Sequence, residues 1–472
     1  MGGKYQAYPD YKDSGVAWLS TIPSHWELTR VKYIAELTPK KPSVRRDIRC
    51  SFLPMEKLKT DTIVLDESRI IEDVYDGYTY FRDDDILMAK VTPCFENKNI
   101  AVAKGLVNQI GFGSSEIYVL RTSKKVSNRY LFYRLQEDSF MDIATAAMTG
   151  AGGLKRVPSE VVNNFTAAIP CVREQQSIAA FLDNETAKID TLIDKQQQLI
   201  QLLKEKRQAV ISHAVTKGLD PNVPMKDSGV EWLGEVPEHW GIRTVSRFSN
   251  KITNGYVGPT RDILVSEGVS YIQATHIKKG VVNFDGAYFV RQSWSDAHSK
   301  SILSEGDVLI VQTGAGTGDI GLVSKHEVGF NCHALIIVEP EKKVISGAYL
   351  SMVLQSQYGY SKLYSIRTGG MHPHLNCGEV QYVKLPIPPR GEQDRIIKSI
   401  EEQTARFDLL ISKQLDAISL MQERRTALIS AAVTGKIDIR NWQPSDSQAR
   451  SLTASCLPRH SDLPVQHMET PA

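Results

Sequence analysis

Two stretches of this 472-residue chain occur twice. KDSGVAWLSTIPSHW at 12–26 returns 214 residues later as KDSGVEWLGEVPEHW at 226–240, with 10 of 15 positions identical. The segment 169–220 aligns without gaps to 387–438, an offset of 218 with 23 of 52 identities. Nearly equal offsets mean that one plan is duplicated: short motif, variable body, long segment. The fold must therefore give both copies equivalent surroundings. The bodies between the motifs, 27–165 and 241–385, show little similarity to each other.

The long segments read as helices. Pro170 and Pro388 precede them, Glu174 and Glu392 fall in the first turn, and from there no Pro or Gly intervenes until Gly218 or Gly435. Apolar residues recur at 3,4 spacing at Ile178, Leu182, Ile189, Leu192, Leu199, Leu203 and Val210, and again at Ile396, Ile400, Phe407, Leu410, Met421 and Leu428. At about 1.5 Å per residue, roughly 45 residues make a rod of about 65 Å. A seam held over several heptads predicts a coiled coil. Its polar members include Gln196 and Gln414, which either fix the register or break the seam where a partner or water covers it.

Only about ten residues separate the first rod from the second KDSGV motif. The second body then starts at the far end of the rod, and the second helix returns antiparallel to the first. The expected architecture is α+β: two α+β domains separated by a pair of long antiparallel helices, with an internal pseudo-two-fold repeat. The boundaries are a first domain at 10–168, helix at 169–220, second domain at 221–386, helix at 387–440 and a disordered tail at 441–472. Within the bodies, 116–120, 307–312 and 334–338 read as strands, and 128–147 and 346–363 as helices.

No catalytic pattern emerges. Gly316-Thr-Gly318-Asp-Ile-Gly321 is a literal GxGxxG, but strand, turn and strand follow it where a dinucleotide fingerprint needs a helix. His372, His374 and Cys377 lie close in sequence without the fourth ligand that structural zinc wants. Phosphate-loop, GxSxG and HExxH motifs are all missing. Six scattered cysteines with no CxxC pair suggest reduced thiols. The polar start has no signal-peptide core and no apolar run reaches the ~18 residues of a membrane span, so a cytoplasmic protein with no membrane association is expected. Formal charge is +2, and bodies 27–168 and 241–386 carry +2 and +3, so bulk charge neither announces nor excludes a nucleic-acid partner. Trp18, Trp26, Trp232 and Trp240 read as packing anchors.

The two KDSGV…HW motifs, the helix openings IPCVREQQSIAAFL and IPPRGEQDRIIKSI, and the closings AVISHAVTKGLD and ALISAAVTGKID closely resemble specificity subunits of prokaryotic type I restriction-modification systems. Within the bodies, DILMAKVTPCFENKNIAVAKGL and GDVLIVQTGAGTGDIGLV also look like that family's strand–turn–strand segments. The likeness covers about residues 10–440. It implies two target recognition domains, each reading half of an asymmetric, bipartite double-stranded DNA sequence. It also implies helices that act as ruler and as dock for two modification subunits, joined by restriction subunits. Catalysis would belong to those partners, with S-adenosylmethionine, ATP and Mg on them and no cofactor in this chain.

Polar and basic loop residues near glycines are the candidates for DNA contact, since Arg and Lys suit guanine, and Asn and Gln adenine, in the major groove. In the first body these are Lys90, Thr92, Asn97, Lys98, Asn99, Lys155 and Arg156. In the second they are Gln312, Thr313, Thr317, Arg367, Thr368, His372 and His374.

Overall fold

The computed structural model describes residues 5–151, 153–278, 280–286, 288–369 and 373–443. The tail expected to be disordered lies outside the described residues from Pro444 onward, while Trp442 before it packs edge-on against Phe181 at 5.5 Å. The chain forms two compact units: Met1–Lys195 with Ala417–Ala472, and Gln196–Asp416. Each contains one body, the start of the long helix that follows it and the end of the other.

In the first unit an antiparallel sheet runs in the order Ile100–Val102, Ile86–Ala89, Ile117–Thr122, Ala35–Leu37. A second sheet runs Ser68–Ile70, Arg49–Leu53, Ile110–Gly113, Thr79–Arg82, its middle pair parallel. The second unit repeats the plan. Ile320–Leu322, Val308–Val311, Leu335–Pro340 and Ser249–Asn254 form the antiparallel sheet, extended at one edge by Gly280–Val282 and Ile277–Lys278. Leu264–Val265, Phe289–Val290, Val269–Ile272 and Asn331–Cys332 form the other, again with one parallel pair. Two bodies without visible sequence similarity thus share the order and pairing sense of four antiparallel strands, while in the other sheet the parallel pair is central in the first body and at the edge in the second. Alternating burial can be met by many β-branched and aliphatic choices.

The predicted strands stand at Ile117–Thr122, Val308–Val311 and Leu335–Pro340. Each helix expected within a body is instead a broken pair: Asn128–Arg134 with Asp138–Ala146, and Gly347–Gln355 with Gln357–Ser365. Ser356 causes the second break, its extended backbone and buried hydroxyl capping Gly359 N at 3.2 Å. Glu137 stands at the first break, extended and buried, and pairs with Arg134 at 2.6 Å.

The duplicated motifs have one structural task. The hairpin Tyr11–Asp13/Thr21–Pro23 carries Trp26 and His25 to the first turn of the helix Val172–Lys217, where Glu174 accepts from Trp26 Nε1 at 3.0 Å and meets His25 Nε2 at 2.9 Å. Met225–Asp227/Glu235–Pro237 likewise brings Trp240 and His239 to Glu392 of Arg390–Val433, at 3.1 and 2.7 Å. The next residue, Gln175 or Gln393, is wholly buried and binds backbone on both sides: Gln175 reaches Ser127 N and Pro170 O at 2.8 Å, Gln393 reaches Ser346 N and Pro388 O at 3.0 Å. This satisfies helix-terminal groups that burial would otherwise strand.

Each helix ends at a glycine with positive φ, Gly218 at +81° and Gly435 at +76°, as the sequence placed them. The end of one helix then completes the core around the other body. Tyr349 Oη donates to Val215 O at 3.1 Å, and Tyr130 Oη to Val433 O at 3.3 Å.

Within both units the helices run antiparallel: Arg425 Nε meets Asp190 at 2.9 Å in the first, and Arg207 meets Asp408 at 3.3 Å in the second. The seam itself needs correction. Ile178, Leu182, Ile189, Ile396, Ile400 and Leu428 are buried, and Leu203, Val210, Phe407, Met421, Gln196 and Gln414 half-buried. Leu192, Leu199 and Leu410, however, are exposed; Ile193 and Ile200 are buried in place of the first two, and Ile411 is half-buried beside Leu410. The continuous series 182, 186, 189, 193, 196, 200, 203 keeps strict 3,4 spacing only if it admits Thr186 and Gln196. Choosing leucine over the adjacent isoleucine shifts the phase by one residue, about 100° around the helix.

Candidate nucleic-acid interface

Both antiparallel sheets end in the same two-loop arrangement. One loop joins the second strand to its edge neighbour, and the other follows the broken helix pair and bonds back onto the first. In the first body these are residues 90–99 and the hairpin Thr149–Ala151/Leu154–Arg156, joined by a bridge from Val91 to Arg156. In the second they are 312–319 and 366–375, joined by a bridge from Thr313 to His374.

The first-body candidates divide by role. Thr92 is a strap: its hydroxyl donates to Gly153 O at 2.9 Å and accepts from Lys155 N at 3.0 Å. Lys155 is exposed, with no side-chain partner among the described residues, and Asn97 is exposed. Asn99 is half-buried, its N–H donating to Cys94 O at 3.0 Å. Lys90 is half-buried over the Tyr118 ring at 5.3 Å. Arg156 forms a fork with Glu116 at 2.9 and 2.8 Å, which holds the Glu116 carboxyl below its ordinary range. Lys98 points inward instead, donating to Gln136 O at 2.9 Å, with burial lowering its ammonium.

The second-body candidates form a tighter knot. Gln312 and Thr317 are buried. Gln312 O accepts from Leu375 N at 2.9 Å, while the Thr317 hydroxyl donates to Gly314 O at 2.6 Å and Pro373 O at 3.2 Å. Thr368 and His374 exchange both backbone bonds, at 2.9 and 2.8 Å. Arg367 donates to Thr317 O from below the loop. His372 lies outside the described residues. Sequence reasoning missed Glu116 as the anchor of Arg156, an acid that no basic-patch search selects. It also missed the exposed aromatic group Trp232, Tyr360 and Tyr364, of which only the i,i+4 tyrosines leave a sequence signal.

The tryptophan expectation holds for Trp26 and Trp240, fully buried, and for Trp18, stacked on Phe165 at 4.9 Å. Trp232 is 58% exposed and carries Lys362 over its ring at 4.3 Å. Gly316–Gly321 runs into the strand Ile320–Leu322, so no helix N-terminus meets a phosphate there. Cys377 Sγ bonds Asn254 Oδ1 at 2.5 Å, and among the described residues no three His, Cys, Asp or Glu side chains form a metal-holding group. Nor is any described helix long and apolar enough to cross a membrane.

Each unit thus joins one varied body to the start of one long helix and the end of the other. No protein-family model matches the chain. The EcoAI type I restriction enzyme specificity subunit of Escherichia coli is 26% identical over 465 residues, covering 81% of this chain and 78% of that protein. A putative MjaX specificity subunit of Methanocaldococcus jannaschii is 21% identical over 435 residues, covering 89% and 96%. Among solved structures, a chain from work on complex assembly and conformational transition of the type I R-M system matches with TM-score 0.69 at 15% identity, over 88% of this chain and 99% of that one. The HsdS subunit of Thermoanaerobacter tengcongensis matches at 0.50 and 15%, over 88% and 98%. Over most of its length the chain is thus similar to type I restriction-modification specificity subunits, and it shares their fold.

Proposed function

We propose that this chain selects a bipartite, asymmetric double-stranded DNA site, each body reading one half through its two-loop edge. The observation that carries the reading is the same strapped edge on both sheets, built from different residues. An invariant frame with varied tips is what two independent readers need, each wrong base pair costing roughly 1–3 kcal/mol. Lys155, Asn97 and Asn99 are the reading residues of the first body, with Arg156 held by Glu116 beside them, and Thr313, Thr368, His372 and His374 those of the second. Lys98, Thr317 and Arg367 serve the loops from within.

The paired helices set the gap and dock two modification subunits, and restriction subunits complete the assembly. Exposed Leu192 and Leu420 in the first unit, and Leu199, Leu409 and Leu410 in the second, supply one docking surface each. Catalysis lies with the partners, which hold S-adenosylmethionine, ATP and Mg and methylate adenine or cleave unmodified DNA. Net charges of +2 and +3 on the bodies leave much of the phosphate affinity to those partners.

The test is coexpression with the modification subunit in a methylation-free host and mapping of N6-methyladenine by single-molecule sequencing. A two-part motif with a fixed gap is expected. A stable complex that writes no motif would sink the reading.

A further inference from the structure

We infer that Arg367 is a positioning residue that sets the shape of the second body's reading loop and contacts neither base nor phosphate. The inference rests on the DNA-reading function proposed above. The Arg367 guanidinium lies 4.8 Å from the Tyr364 ring and 5.6 Å from the Tyr360 ring, and donates through Nη2 to Thr317 O. Its Nε is shut off from solvent without a partner among the described residues. An arginine that reads guanine must turn two of its donors outward together. Here Nη2 is committed to Thr317 O and Nε is enclosed, so the Nε–Nη2 edge of the guanidinium faces the loop.

The loop is built around that group. Gly318 has φ +93°, and a Cβ there would come within 2.6 Å of Arg367 Nη2. Thr317, whose carbonyl Arg367 holds, ties the same turn to Pro373 O at 3.2 Å. Removing the guanidinium leaves the 314–318 turn held to the second loop only by the Thr317–Pro373 bond and the bridge beside it, so its carbonyl at Thr317 is no longer fixed. The first body has no arginine in this place, since the Thr92 hydroxyl makes the equivalent strap to Gly153 and Lys155. Arg367 therefore affects one half-site only.

The test uses the full chain with its modification subunit. R367K keeps the charge and loses the planar stack, and R367A removes both; should R367A fail to fold by thermal unfolding, R367K carries the test. Motifs are mapped from N6-methyladenine, and binding to the mapped duplex is followed as a function of salt. The expected result is relaxed or altered specificity in the half-site that exchange of 241–385 also alters, with the other half and the gap unchanged. Affinity for the original site should fall about 5- to 150-fold, as for a mismatched base pair, with the log–log salt slope unchanged. A slope reduced by about 0.9 with the motif intact would make Arg367 a phosphate contact and overturn the inference. Unchanged motif and affinity, or change in both half-sites, would also overturn it. A chain with native Arg367 that writes no two-part motif would instead refute the function beneath, a failure visible before any variant is made.

Discussion

The duplicated helix-opening glutamates offer a measurement in which most errors cancel. Glu174 accepts from Trp26 Nε1 at 3.0 Å and Tyr8 Oη at 2.7 Å, both donors on buried residues, and from half-exposed His25. Glu392 accepts from buried Trp240 at 3.1 Å and half-exposed His239, and no tyrosine stands where Tyr8 does. A buried donor left without its acceptor costs about 1–3 kcal/mol. Glu392→Ala strands one such donor, about 1–3 kcal/mol, and Glu174→Ala strands two, about 2–6 kcal/mol. The lost carboxylate–helix-dipole term is common to both variants and drops out of the difference, as do the histidines, whose side chains are 44% and 46% exposed. What remains is about 1–3 kcal/mol, borne by the first unit.

Peptide-resolved hydrogen exchange in graded urea reads the two units separately within one chain. The first unit in E174A should open at lower urea than the second unit in E392A, each referred to the unsubstituted chain. Tyr8→Phe is the internal check. In that background E174A should cost no more than E392A, since the extra donor is gone. Equal costs for E174A and E392A in the native background would refute the argument that these bonds, rather than the helix dipole alone, explain why the HW pairs recur.

Further outcomes follow from the same frame. Burial raises the Asp307 carboxyl to about 6, with Glu339 adding to the shift and Lys251, Lys342 and the Ser304 backbone opposing it. The folded chain then holds that proton more tightly than the unfolded chain, so its stabilising effect is full below about pH 4 and is lost as pH rises through 6. The unfolding free energy of the second unit, from urea titrations, should fall by about 1–2 kcal/mol over that range after allowance for solvent screening, and D307N should flatten the curve. In the long helix, Ile193→Ala should cost about 2–4 kcal/mol and Leu192→Ala within about 0.5 kcal/mol by thermal unfolding; the reverse order would restore the seam read from sequence. L192D with L410D should leave the chain folded yet abolish copurification with the modification subunit, and retained copurification would move the dock elsewhere. Exchange of 241–385 for another family member's body should change one half-site of the methylation motif, and a change in both would end the modular reading.

What the sequence disclosed tracks what physics repeats. Helix ends at Gly218 and Gly435, the carboxylates at 174 and 392, and the antiparallel return all leave marks at fixed spacing, because caps and short connections restrict residue type strongly. The seam phase was lost where leucine and isoleucine are adjacent, since at 192–193 either satisfies an apolar pattern and only the facing helix decides. The split helices were hidden because Ser356 and Glu137 break helices by being buried in an extended conformation, and burial is a tertiary fact. Least legible were the reading edges. Lys98 and Lys155 look alike in sequence, yet one donates to Gln136 O inside the body and the other stands exposed.

That contrast bears on how such a chain changes specificity. Among the residues common to both copies, the HW pair and the Glu-Gln pair serve the junction of body with helix, and neither lies on a two-loop edge. The edges are held by different straps, the Thr92 hydroxyl in one body and the Thr317 hydroxyl reinforced by Arg367 in the other. Each strap bonds backbone carbonyls, which any residue supplies, so tip side chains can change while the loop keeps its path. On the DNA-reading function proposed above, tip substitutions should alter which bases are read at little cost in stability, whereas strap substitutions should alter the path itself. A library varied at Asn97, Asn99 and Lys155 should yield mostly folded chains with shifted first half-sites. The same library at Thr92 and its hairpin contacts should yield mostly relaxed ones, and equal yields of new, sharp motifs from both would show that the straps do not set the path.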